Sequence, residues 1–78
     1  MSEVPDRVKR IIASYLDLDE AALQPGTSFA EDLNMDSLSV MELIIALEEE
    51  FSVEFDQESV SSVATVGDAI KAVEAALP

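Results

Sequence analysis

Apolar residues recur at helical spacing along most of this chain. Val4, Val8, Ile11, Ile12 and Tyr15 fall at i, i+4, i+7, i+8 and i+11, one face of a first helix that starts near Val4 and fades near Leu16 to Leu18. Ser2 is a candidate N-cap, and Pro5 sits in the first turn, where its missing N–H costs little. The pattern then stops. Residues 19 to 35 read as a long loop, with Pro25-Gly26 as the strongest turn signal and Thr27, Ser28 and Asn34 adding turn chemistry. A loop of that length in a small chain is either functional or pinned, and Leu23, Phe29 and Leu33 are the expected anchors. The period returns at about Asp36 and runs to Phe51, free of Gly and Pro and rich in strong helix formers. Ser52 to Phe55 reads as an extended link, and Asp56-Gln57-Glu58 as the cap of a brief helix through Ser62. Thr65-x-x-Asp68 resembles a capping box that opens a last helix, with Val66, Ala69, Ile70, Val73 and Leu77 on its face. β-Branched residues gather at 60 to 66, yet a lone strand would have no partner. The pattern predicts an all-α fold: a small bundle of three main helices plus one short helix, with the long loop between helices 1 and 2.

The second helix has more apolar surface than a core stripe needs. With Asp36 at the origin and ~100° per residue, Val40, Leu43, Ile44, Leu47 and Phe51 share one arc, the expected core face. Ser37, Leu38, Met41 and Ile45 share a second arc. Glu48 lies inside it, and Glu42 and Glu49 border it. An apolar strip framed by acids suits a basic partner. Packing of Met41 and Ile45 against the third helix or the loop explains the same periodicity equally well.

Composition sharpens this picture. The chain has 78 residues, the size of a single domain, 1–78. Four Lys and Arg against 17 Asp and Glu give a net charge of −13, while 49% of residues are apolar, too many for a disordered acidic tail. That charge argues against nucleic acid and anionic membranes as partners. No Cys and no His are present, so disulfides, zinc sites, thiol nucleophiles and His-based triads are excluded. The small size and the lack of a nucleophile's usual partners predict a protein that is not an enzyme. No apolar run is long enough to span a membrane, and the N-terminus lacks the apolar core of a secretory signal. A cytoplasmic monomer is the expectation, and the start at Met1 and end at Pro78 favour a free-standing protein. Between residues 11 and 70 there is no Lys or Arg but there are 14 acids. Such a field steers encounter with a cationic patch, beyond what solubility requires.

The acids and serines allow three chemical readings. Asp32, Asn34 and Asp36 have the spacing of an EF-hand loop, but Ser37 stands where Gly is needed and Leu43 where the bidentate Glu should be. An acidic, calcium-responsive binding module is therefore the reading from another class. Glu48, Glu49 and Glu50 point in three directions on a helix and form no converging acid–base pair. Ser37 has no base near it in sequence, so it is not a self-activated nucleophile. It does stand at a helix N-terminus, where free N–H groups and the positive end of the dipole favour a phosphate. It thus reads as a residue to which another enzyme attaches a phosphorylated group. Two plainer readings compete: Asp36 or Ser37 is only an N-cap, or the helix starts later with Ser39-x-x-Glu42 as its capping box.

The run Leu33-Asn34-Met35-Asp36-Ser37-Leu38, followed by Met41 through Phe51 and by Thr65 through Ile70, closely resembles the acyl carrier protein family. Pro25 through Phe29 and Glu31-Asp32-Leu33 resemble the family's loop, so the likeness covers nearly the whole chain. The resemblance implies 4′-phosphopantetheine joined to Ser37 through a phosphodiester by a phosphopantetheinyl transferase, with acyl groups held as thioesters on the arm's thiol. That would explain thiol chemistry in a chain without Cys. It implies docking of acyl-chain synthesis enzymes, through basic patches, at Asp36, Met41, Glu42, Ile45, Glu48 and Glu49. It implies an acyl pocket lined by Phe29, Leu47, Phe55, Val63 and Ala69. The acidic wording around the serine resembles fatty-acid carriers; a carrier for a polyketide or specialised lipid pathway is the alternative. Ser39 replaces an acid common in the family, Ser52 a Gly, and Asp56 a Pro, and the segment 59–63 is less charged than usual.

Overall fold

The computed structural model describes residues 3–77. The first helix, α1, spans Val4–Leu16 and ends at Asp17, whose φ of 57° is left-handed. Ser2 lies outside the described residues; Glu3 occupies the N-cap position and makes no side-chain capping bond. Val8, Ile12 and Ala13 are buried, but Tyr15, expected on the core face, is exposed. The buried stripe is rotated toward the small Ala13, which leaves Tyr15 at its edge.

The long loop is pinned at both ends. A 3-10 turn at Glu20–Ala22 is capped by Asp19, whose carboxylate accepts from the Ala21 N–H at 3.1 Å. Leu23 and Phe29 are buried as expected, Leu33 is half-buried, and Met35 adds an anchor that no periodicity announced. The loop also pairs with the start of the last helix. The Phe29 N–H donates to the Ala64 carbonyl and the Val66 N–H to the Thr27 carbonyl, each at 3.0 Å, around an isolated antiparallel bridge between Ser28 and Thr65. The β-branched run near 60–66 thus finds one bridge rather than a strand. Gly67 N–H donates to the Pro25 carbonyl at 2.9 Å, and a Cβ at Gly67 would stand 2.9 Å from that same oxygen. Only glycine permits this approach.

Helix α2 spans Ser37–Phe51, α3 spans Gln57–Ser62 and α4 spans Val66–Ala76. Each starts at a side-chain cap: Asp36 accepts from the Ser39 N–H at 2.8 Å, Asp56 from the Ser59 N–H at 2.7 Å, and Thr65 with Asp68 completes a reciprocal capping box. These caps satisfy N–H groups that a helix start leaves unpaired. The later start at Ser39 is therefore overturned: Asp36 is the cap and Ser37 the first helical residue. The core is built from Val8 and Ile12 of α1, Leu43 and Leu47 of α2, Val66 and Val73 of α4, and the loop anchors Leu23 and Phe29. α1 packs on α2 and α4, α2 packs on α4, and α3 lies against α4. Arg7 of α1 stands 4.5 Å over the Phe51 ring and 3.9 Å from Glu50, a cation beside a last turn that has none of its own.

Candidate functional site

The approach to α2 is fixed residue by residue. Leu33 N–H donates to the Ser28 carbonyl at 3.1 Å and Met35 N–H to the Phe29 carbonyl at 2.9 Å. Between them Asn34 adopts a φ of 56°, which its short amide tolerates. Asp36 is then extended, and its carboxylate closes the first turn of α2. The Ser39 backbone amide, then the Ser39 hydroxyl, hold the Asp36 carboxyl below its ordinary value of 3.8. Ser37 follows as the first residue of the helix. It is exposed, and among the described residues no hydrogen bond engages its hydroxyl. The first turn carries no acid of its own, so the positive end of the helix dipole is opposed only by the capping Asp36.

Two surfaces meet at Ser37. One is a cleft of about 370 Å³ between α2 and the α3 segment. Met35, Val40, Met41 and Ile44 line one side and Val60, Ser61 and Val63 the other, with Ala30, Asp36 and Ser37 completing it. Of the five residues expected to line an acyl pocket, only Val63 does so here. Phe29, Leu47 and Ala69 are instead wholly buried in the core cluster. Phe55 is half-buried and faces a separate groove shared with Ala72, Ala75 and Ala76. Val40, Ile44 and Val60 were missed as lining. Ile44 sits where the core arc borders the outer arc, a signal the helical wheel contained, whereas Val40 lies near the middle of the core arc and gave none. Val60 had none, because the cleft exists only once α3 is placed.

The second surface is the outer face of α2. Leu38, Met41 and Ile45 are 68%, 45% and 46% exposed, so none of them is buried against α3 or the loop, although Met41 also borders the cleft. Asp36, Glu42 and Glu49 are exposed around them. Leu38, in the outer arc but given no role in the sequence reading, is the most exposed large apolar residue. Glu48, also in the expected docking set, is half-buried, and its Oε2 accepts from the Phe55 N–H at 2.8 Å.

The EF-hand spacing has a local use instead. Asp32 accepts from the Ser28 N–H at 2.7 Å, and Asp36 caps α2. Among the described residues no three His, Cys, Asp or Glu side chains gather as a metal site. A phosphorylated, partly apolar arm suits the Ser37 site. The free hydroxyl stands at a helix N-terminus and opens beside an apolar-walled cleft, which are the features such a group needs.

Comparison with known proteins agrees with this geometry. The family described as "Phosphopantetheine attachment site" matches residues 6–73. The chain is 45% identical over 76 residues to "Acyl carrier protein" of Sinorhizobium fredii (strain NBRC 101917 / NGR234), covering 97% of each chain. The same identity and coverage hold for "Acyl carrier protein AcpP" of Rhizobium meliloti (strain 1021).

Proposed function

The chain belongs to the acyl carrier protein family and is a carrier with a phosphopantetheine attachment site rather than a catalyst; from that premise we propose that Ser37 is the attachment point and that the pathway served is fatty-acid synthesis. When bound, the arm supplies a thiol that holds acyl chains as thioesters. The single observation that supports Ser37 is its free, exposed hydroxyl at the first residue of α2, between the cleft and the acid-framed strip.

The residues around it divide the work. Asp36 fixes the first turn and so the direction in which the Ser37 hydroxyl is offered. Leu38, Met41 and Ile45 give partners apolar contact, while Asp36, Glu42 and Glu49 attract the basic patch of a transferase or an acyl-chain enzyme. Val40, Ile44, Val60 and Val63 shelter an apolar chain from water. The protein works as a monomer among cytoplasmic enzymes. Among the described residues no helix is long and apolar enough to cross a membrane. A polyketide or specialised lipid pathway is the second reading, supported by the serines of α3 and by Ser39, which thin the acids beside the cleft.

Intact mass tests the attachment. With coenzyme A and a phosphopantetheinyl transferase, the wild-type chain gains one arm and Ser37→Ala gains none. An unmodified wild type, beside a modified control carrier, overturns the reading. The acyl chains recovered as thioesters from the native host separate the two pathways.

A further inference from the structure

Glu48 stands out because it holds the whole link between α2 and α3. Its carbonyl accepts from the Ser52 and Val53 N–H groups, the second at 3.0 Å, and its carboxylate accepts from Phe55 N–H at 2.8 Å. The next residue, Asp56, is the cap of α3. At the far end of α3, the Asp68 carboxylate accepts from the Ala64 and Thr65 N–H groups, both at 3.1 Å. Between these two clamps α3 has no buried residue. Between α3 and α4 lies a groove of about 460 Å³ lined in part by Ser59, Ser62, Lys71, Ala72 and Ala75. α3 therefore meets α4 across an open groove with no buried side chain to anchor it, and its ends hold it.

We infer that Glu48 is a positioning residue for the cleft: through the Phe55 N–H it sets where α3 stands against α2, and so how well Val60 and Val63 cover an acyl chain. This rests on the proposed role of the cleft as the acyl shelter. A hydrogen bond to a half-buried carboxylate is among the stronger kinds, and losing it frees the link next to a helix too short to hold itself. Glutamine keeps an acceptor oxygen at the same reach; alanine removes it.

Amide hydrogen exchange by NMR on the unmodified protein reads the clamp directly. In Glu48→Ala the amides of Phe55 and of residues 57–62 exchange about tenfold faster or more, and Glu48→Gln restores most of their protection. Should the alanine variant fail to fold, Glu48→Asp, shorter by one methylene, gives the same readout. A second measurement loads an octanoyl-pantetheine arm and takes the gain in Tm over the arm alone. The gain is cut at least by half in Glu48→Ala and recovered in Glu48→Gln. Exchange of α3 within about twofold of wild type in both the alanine and aspartate variants overturns the inference. A slower transferase reaction with α3 exchange unchanged would instead make Glu48 a docking contact, which also overturns it. If octanoyl loading gives the wild type no gain in Tm, the shelter reading fails, while the exchange result still decides whether Glu48 holds α3.

Discussion

Helices α2 and α3 face each other across the cleft and are built in opposite ways. α2 is 15 residues long, buries Leu43, Ile44, Leu47 and Phe51 and packs the half-buried Val40 against the core, so its position is fixed by the core from Val40 to its end. α3 is six residues long, buries none, and is held by a cap at its start and by carboxylates on the chain at either side. Both begin with an Asp that accepts from an N–H three residues on. Identical capping chemistry therefore serves two different purposes. In α2 it completes a rigid element that presents Ser37 at a fixed place. In α3 it shapes a wall that tertiary packing leaves shallowly held. Under the proposed function a carrier uses both, since an attachment point is constant for every partner while a shelter fits cargo of differing bulk.

The contrast breaks most visibly in the core. Leu47→Ala removes a fully buried side chain from α2 and should cost about 2–5 kcal/mol in urea unfolding. Val60→Ala, in α3 and outside the core cluster, should cost less than about 1 kcal/mol. Equal losses would mean that α3 is as firmly packed as α2.

The caps sharpen the contrast at a smaller scale. Asp36→Ala should lower the global unfolding midpoint, because α2 belongs to the core. Asp56→Ala should leave that midpoint nearly unchanged and raise exchange only at residues 57–62. The Ser39 and Ser59 amides hold both carboxyls below their ordinary value of 3.8. A lowered folded-state value gives stability that is fully present above 3.8 and is lost as pH falls through the folded value. The gap between wild type and Asp36→Ala should therefore stay constant from neutral pH to about pH 4 and close below it. A gap that closes at higher pH contradicts the capping role.

The smallest effect lies at the joint between the two helices. Ser52 adopts a φ of 55° at the end of α2, a conformation that glycine reaches without the steric cost of a Cβ. Ser52→Gly should stabilise the protein by about 0.5–1 kcal/mol, read as a shift in the urea midpoint. A destabilised variant would show that Ser52 relieves the strain through a contact of its own.

Much of the fold was legible because it is written between near neighbours. The Thr65–Asp68 box, the Asp56 cap and the end of α1 near Leu16 involve residues within about one helical turn. The core arc of α2 was legible for the same reason, through Leu43, Ile44, Leu47 and Phe51. The cleft beside Ser37 was not. Phe29, Leu47 and Ala69 are apolar and helically spaced or anchored, and nothing in their sequence separates a core contact from a lining one. Met35 and Val60 gave no period at all, one in a loop and the other in a six-residue helix.

The sequence alone determined where α3 and α4 begin, that the stripe from Leu43 to Phe51 of α2 turns inward, and that Ser37 lies near a helical start within an acidic field. It could do so because capping and periodicity act over three or four residues. Tertiary structure alone decided that Glu48 turns from the outer face of α2 to a backbone N–H seven residues away. It also decided that the loop lies against the start of α4, and that a cleft opens beside Ser37. Those outcomes depend on distances between elements, which are set only when the whole core closes and each helix takes its place against the others.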